Sequence, residues 1–455
     1  SVCVSLMKKI GAAAAAAVAA AGVGFYRLLE LAKQYQGLPV DPKGGGPVKD
    51  SLGAVLVSIP SWREKLFGIP NVQSYAEEFH VNYDLPAFGS PLPRTSPFFA
   101  ENFYFWGNSV DGEFLFTARL AFQGVDGLDI WPWFQIVWKG EKWDLPTGFA
   151  NATLQHDQTI RFRAQAPGFG VLEFSCGTPL QHWQLRYNGT LTNGAKEVPV
   201  DATIELDLVP ENVFMYHLHM DAMSMGRSLA SVPWNPEFFT NLRSQRQERV
   251  SSLGGGLATI QLGSEDVDVA FDGSRDHNWG IRNWRFMWRY IYIPPVKITP
   301  PLKIAGVEYN SFIGSLVEYG NVMKDAAIGG LVSQGGQVLS FSGATSMRKF
   351  APQWFEAKSS PGVGIGDATL AAGEFELKIG LGLKYVLTVK VQRGQKFGMW
   401  QHSFYTPDKN FEIHEALTRW QFSVATHPEG DSVASATGLG MMEFGANLVG
   451  LDNGG

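Results

Sequence analysis

The sequence predicts an all-β protein, two antiparallel β-barrels or sandwiches side by side, preceded by an N-terminal Ala-rich helix. Three observations carry this prediction. Short runs alternate apolar and polar residues with period two: in Glu113–Gln123, Phe114, Phe116, Ala118, Leu120 and Phe122 share one face. With 51 glycines and 25 prolines in 455 residues, turns are frequent. The chain has no strand–helix rhythm, no G-x-G-x-x-G and no Walker A loop, which excludes nucleotide binding by the usual phosphate loops.

Composition narrows the class further. At 45% hydrophobic and 18% charged the chain is globular, and its length suits two domains. Its 14 tryptophans and 31 phenylalanines fit large apolar cavities or partner-facing surfaces. The net charge of -6 gives no basic excess, so nucleic acid is not an expected partner. Cys3 and Cys176 cannot make a disulfide framework or a Cys-based zinc site. No cofactor is implied.

Residues 1–36 form the predicted N-terminal helix. Residues 10–26 carry no charge, follow Lys8 and Lys9, and precede Arg27. As a helix the run spans roughly 26 Å, close to one hydrocarbon core of about 30 Å. A transmembrane anchor is the expectation; a cleaved signal peptide and an Ala-rich helix docked on another chain share the pattern. Gly11, Ala15 and Ala19 repeat every four residues, a face that suits a partner helix in a membrane. No acid precedes Glu30, which suits a membrane-associated protein of a mitochondrion or plastid.

Residues 37–97 read as an irregular linker and extension, with Gly44-Gly45-Gly46 between prolines. The first β domain is expected over 98–222, from the aromatic run Phe98–Trp106 through alternating strands such as His182–Thr192 to Val213–Asp221. On that last strand His217 and His219 share a face, a weak alternative metal site that needs a third ligand such as His182 or Asp221. Residues 223–256 read as a linker carrying a polar helix, Glu237–Val250, with Arg243, Arg246 and Arg249 on one side and Gly254-Gly255-Gly256 at its end. A second β domain is expected over 257–445, closing on the Gly-rich strand Thr437–Phe444, with 446–455 as a tail.

One stretch concentrates chemistry: Asp272-Gly-Ser-Arg-Asp-His-Asn-Trp-Gly-Ile-Arg-Asn-Trp284. It resembles the G-x-R-D-H-x-W-G-x-R-x-W signature of two-domain, lipocalin-like (calycin) proteins related to carotenoid 1,2-hydratase, also called hydroxyneurosporene synthase. Glu101–Phe105, the strand ending in Arg119, and Gly438–Phe444 resemble the family's opening and closing strands. The resemblance covers roughly 98–445 and implies two lipocalin-like barrels with an apolar ligand pocket.

In the hydratases a carboxylic acid protonates an isoprenoid C=C bond and water captures the cation. Carried onto this chain, the resemblance makes Asp276 the candidate acid and His277 the water-positioning group. Arg275, Asn278, Trp279, Arg282, Trp284, Glu101 and Tyr104 would then line the ligand. A further acid of the family has no secure counterpart; Glu308, Glu318 and Asp325 are open to it.

Two functions follow. One is a membrane-anchored, lipocalin-like binder of a hydrophobic small molecule (isoprenoid, pigment or lipid), with room for carotenoid-hydratase-like lyase chemistry. The alternative is a catalytically inactive accessory subunit of an organellar membrane complex, in contact with other subunits. The motif should face an inter-domain or barrel-mouth cavity; an Asp276 closed on an arginine would make it a folding device instead.

Overall fold

The computed structural model describes residues 23–58, 99–123, 129–151, 153–156, 161–178, 181–193, 199–243, 245–282, 287–350, 374–393, 400–404 and 411–447. The β prediction holds: two antiparallel sheets account for most of these residues. No helix among the described residues is long and apolar enough to cross a membrane; residues 10–22 of the expected anchor lie outside them.

The first sheet has eleven strands. β1 (Phe99–Asn108), β2 (Phe114–Gln123), β3 (Asp129–Trp138) and β4 (Glu141–Asp144) form a meander. β5 (Thr153–His156), β6 (Arg161–Ala166), β7 (Gly170–Thr178), β8 (His182–Thr192) and β9 (Pro199–Met215) form a second one. The long hairpin of β10 (Gln245–Leu262) and β11 (Glu265–Arg282) joins them, β10 on β9 and β11 on β1. A bridge between Asp144 and Thr192 brings β4 to β8 and curls the sheet into a barrel. Its interior is aromatic and full: Phe103, Phe105, Phe114, Phe116, Phe134, Phe174, Trp183 and Tyr187 are all buried.

The second sheet has nine strands: β12 (Met287–Ile304), β13 (Val307–Tyr319), β14 (Met323–Ser333), β15 (Val338–Ala344), β16 (Glu374–Leu381), β17 (Tyr385–Arg393), β18 (Trp400–Phe404), β19 (Phe411–Thr426) and β20 (Ser432–Asn447). The ends of β19 divide their partners. Residues 411–415 pair with β18, and residues 418–426 pair with β17, closing an eight-stranded barrel. Ile291, Ile293, Phe312, Leu316, Trp420, Phe422 and Phe444 fill it.

The domain boundary differs from the expected one. Residues 245–282, read as part linker and part second domain, belong wholly to the first sheet, and the second barrel starts at Met287. The polar helix is shorter than expected, Pro236–Arg243, and Arg249 sits on β10. Gly254-Gly255-Gly256 is not a chain breaker but the middle of that strand. A side chain at Gly256 would stand 1.7 Å from the Asp207 carbonyl oxygen, and one at Gly254 2.1 Å from that of Val209. Glycine is there because a neighbouring backbone passes where a Cβ would be.

The expected strand Val213–Asp221 also divides. β9 ends at Met215, and Tyr216–His219 makes a single helical turn. The i, i+2 strand spacing that suggested a His217–His219 metal pair is therefore replaced by a turn of helix. The His219 ring packs 5.1 Å from Phe214, and its carbonyl accepts from the Ser340 hydroxyl at 2.6 Å.

The stretch after residue 36 is more ordered than a linker. Residues 23–36 are helical, Leu38 and Val40 are buried, and Asp41 bridges to Ala344 at the edge of β15. Asp41 also holds Lys349 at 2.7 Å. The Gly45 amide donates to Asp50 Oδ1 at 2.7 Å, just before a second helix, Pro47–Ser58. That helix crosses the helix Ala222–Ala230 with Gly53 against Gly226, close enough that a Cβ on Gly53 would stand 2.3 Å from the Gly226 oxygen. Residues 59–97 lie outside the described residues.

Candidate functional site

Strand β11 carries the motif and is a wall between two environments. Successive strand residues point to opposite faces. Adjacent in sequence, Asp276 and His277 therefore part. His277 enters the first barrel with Arg275, whereas Asp276 and Asn278 face the second barrel.

Inside the first barrel the His277 ring stacks on Phe103 (centroids 4.3 Å apart, 9° between planes), and its Nε2 lies 2.9 Å from Glu101 Oε1. The Arg275 guanidinium sits 5.1 Å from the Trp183 ring. Arg275 and His277 are each 0% exposed. Aromatic faces are what make a buried cation tolerable here, since the ring quadrupole replaces part of the lost hydration.

The opposite face of β11, with neighbours on β1, β2 and β10, meets the second barrel at a seam. Tyr104, Trp106, Leu115 and Val137 of the first barrel pack there against Tyr290, Tyr292, Val317, Leu417 and Met441 of the second. Trp133, Tyr319 and Leu439 are partly buried at its rim. The contact arises because β12 alternates: Ile291 and Ile293 turn into their own barrel, so Tyr290 and Tyr292 turn out of it.

A polar chain runs through this apolar seam. Asp276 accepts from the Ser251 hydroxyl at 2.6 Å and from Asn278 Nδ2 at 2.7 Å, and pairs with Arg249 Nε at 3.3 Å. Asn278 Oδ1 accepts from Asn102 Nδ2 at 2.8 Å, and Asn102 Oδ1 accepts from Arg119 Nε at 3.1 Å. Arg119 in turn lies 5.7 Å from the Trp133 ring. At the other end, the Arg249 guanidinium sits 4.3 Å from the Tyr292 ring and 5.5 Å from Tyr216. The Tyr216 hydroxyl is 3.4 Å from Ser315 Oγ on β13. The Tyr104 hydroxyl approaches Met441 Sδ at 3.4 Å, and the Tyr290 hydroxyl donates to Glu443.

Charges in this seam hold each other in place. Burial opposes the Arg249 charge, but the Asp276 carboxylate, with Tyr216 and Tyr292, outweighs it and holds the guanidinium above its usual range. Tyr216 is pushed up, by burial first and by Asp276 among the nearby charges. Tyr292 is pushed well up, by burial first and then by Asp276 and Tyr216. Asp276 itself is 2% exposed and surrounded by donors on both oxygens. Both of its oxygens are engaged by wall residues, so it orders the wall through Ser251, Asn278 and Arg249.

Of the expected ligand contacts, Tyr104 and Asn278 reach the seam, while Glu101 and Arg275 face the first barrel's interior. Trp279 and Arg282 enter through backbone pairing, opposite Glu101 and Gln245 respectively; Trp284 lies outside the described residues. Neither Glu308, Glu318 nor Asp325 supplies an acid to the seam. Glu318 is locked on Arg289 at 2.8 Å with both side chains buried, Glu308 is exposed beside Lys303, and Asp325 accepts from the Met347 amide. Glu443, inside the closing stretch Gly438–Phe444, is a carboxylate that stands at the seam, accepting from the Tyr290 hydroxyl. Arg249, Ser251 and Tyr292 come from strands, and Tyr216 from the helical turn after β9, whose placement only the fold reveals.

No family model matches the chain, and no curated protein matches it. The resemblance to the carotenoid-hydratase group therefore stands on the central motif and the two flanking stretches alone. Among solved structures, CghA with Sch210972 aligns at a TM-score of 0.41 and 10% identity, over 78% of this chain and 89% of that one. A second structure of CghA gives 0.33 at 10% identity, over the same shares. Kievitone hydratase from Nectria haematococca gives 0.33 at 11% identity, over 78% of this chain and 92% of that one. Similarity at this level transfers no activity or ligand to this chain.

Proposed function

We propose that the seam between the barrels binds a hydrophobic small molecule, of the isoprenoid, pigment or lipid class. One observation supports this reading: the aromatic and thioether cluster of Tyr104, Tyr290, Tyr292 and Met441 has a less buried rim at Trp133, Tyr319 and Leu439. Apolar walls carrying a few fixed polar groups are the usual make-up of a small-molecule site. Arg119, Asn102 and Asn278 would set the ligand's orientation, and Asp276 with Arg249 would stiffen the wall behind them. Should the site catalyse, Glu443, held by the Tyr290 hydroxyl, would be the carboxyl group offered at the seam, and Asp276 a positioning residue.

The test is mass spectrometry of the organic extract of natively purified protein, set beside the Trp133→Ala and Tyr290→Ala variants. A single apolar compound near one equivalent, depleted in both variants, supports the reading. A second reading keeps one observation of its own: both barrel interiors are filled by their own side chains, as an accessory subunit without a ligand would have them. Extract free of any stoichiometric compound, from protein that carries a fixed set of membrane-complex chains, would replace the binder with that subunit.

A further inference from the structure

The two N-terminal helices carry an apolar face that the seam does not use. On the helix 23–36, Val23 and Tyr26 are 57% and 63% exposed; on Pro47–Ser58, Val48 and Leu52 are 58% and 42% exposed. Each pair is spaced three or four residues apart, so each shares one side of its helix. The helices form one layer. Ala32 and Tyr35 of the first cluster with Ala54 of the second, and Gln36 donates to Asp50.

The charge on this layer is lopsided. Arg27, Lys33 and Lys43 are exposed. Of the acids, Asp50 is 0% exposed and held by the Gly45 amide, and Asp41 is 9% exposed and paired with Lys349, leaving Glu30 beside Lys33. The outward charge is therefore basic, on a protein whose net charge is -6. The chain entering the layer adds Lys8 and Lys9 and then no charge from residue 10 to 26.

We propose that this helical layer lies on the surface of an anionic bilayer, with Tyr26, Val48 and Leu52 in the headgroup region and Arg27 and Lys33 against lipid phosphates. Apolar side chains rimmed by lysine and arginine are what an interfacial surface needs. The inference is independent of what the seam binds.

The experiment uses the full chain with Cys3→Ser and Cys176→Ser, and an environment-sensitive fluorophore on Leu52→Cys. A control label sits on Val433→Cys, an exposed site on β20. Vesicles of phosphatidylcholine with about one-third phosphatidylglycerol should shift the emission at position 52 to the blue and leave position 433 unchanged. Replacing Arg27 and Lys33 with Gln should weaken vesicle partitioning about thirtyfold, at about 1 kcal/mol per cation near an anionic surface. Absence of vesicle binding overturns the proposal, as does binding without a shift at position 52. A vesicle-independent shift that grows with protein concentration would assign the face to a second copy of the chain and equally overturn it.

Discussion

Asp276→Asn tests the seam where its charges are most tightly coupled. The amide has the same shape as the carboxylate and can keep an acceptor toward Asn278 while Ser251 rotates to accept from its NH2 group. What disappears is the charge opposite Arg249, 3.3 Å away, at a residue 2% exposed. Removing one partner of a buried pair costs about 3–5 kcal/mol, because the other charge is stranded. Arg249 keeps its faces on Tyr292 and Tyr216, together about 1–2 kcal/mol, and its side chain is 19% exposed, so water can reach it. The expected net loss is therefore about 2–3 kcal/mol. Arg249→Met should cost a similar amount by stranding Asp276. The double variant should cost clearly less than the sum, with a coupling of about 2 kcal/mol. Urea unfolding followed by tryptophan fluorescence, fitted for the transition that loses barrel–barrel contact, gives all four corners of the cycle. Additivity within about 0.5 kcal/mol, or an Asp276→Asn cost below about 1 kcal/mol, would refute the claim that this pair organises the seam.

Other consequences are as direct. His277→Phe should keep the stack on Phe103 but leave Glu101 with its partner at 2.9 Å removed, costing about 1–3 kcal/mol in chemical denaturation; adding Glu101→Gln should recover part of that loss. Gly53→Ala should push the two packed helices apart, since the new methyl meets the Gly226 backbone; a loss of about 1–3 kcal/mol, read as faster proteolysis within residues 23–58, is expected. The N-terminal layer should also respond to pH. Burial raises Asp221 and Asp50, against their hydrogen bonds and the Arg227 charge, so both take up a proton more readily when the layer is docked. Their contribution is fully present below the ordinary carboxylate pKa and is lost as pH rises through the raised values. Hydrogen-exchange protection of residues 23–36, corrected for intrinsic rates, should rise as pH is lowered from neutrality toward the ordinary carboxylate pKa, and Asp221→Asn should flatten that slope.

Much of the fold was legible because period two is a local signal. Phe114 through Phe122 and Trp183 through Tyr187 announce their strands by alternation alone. The boundary between barrels was not legible, because glycine has two meanings. Gly254-Gly255-Gly256 reads as punctuation until the carbonyls of Asp207 and Val209 are seen against it. Arg249 was misread for a related reason: with Arg243 and Arg246 it has helical spacing, and only the β10–β11 register puts it near Asp276. Alternation along one strand already separates Asp276 from His277, whereas the Ser251, Tyr216 and Tyr292 partners depend on pairing over long sequence distances.

That separation has a consequence for how the chain can vary. β11 is a party wall: its odd-numbered residues furnish one room and its even-numbered residues the next. Inserting or deleting a single residue between β1-facing Gly273 and Gly280 would exchange the furniture. A carboxylate would arrive among the phenylalanines of the first barrel without an arginine, and an imidazole would be left facing Arg249. Length in this segment is thus as constrained as chemistry, and substitutions there should be survivable one at a time where single-residue indels are not.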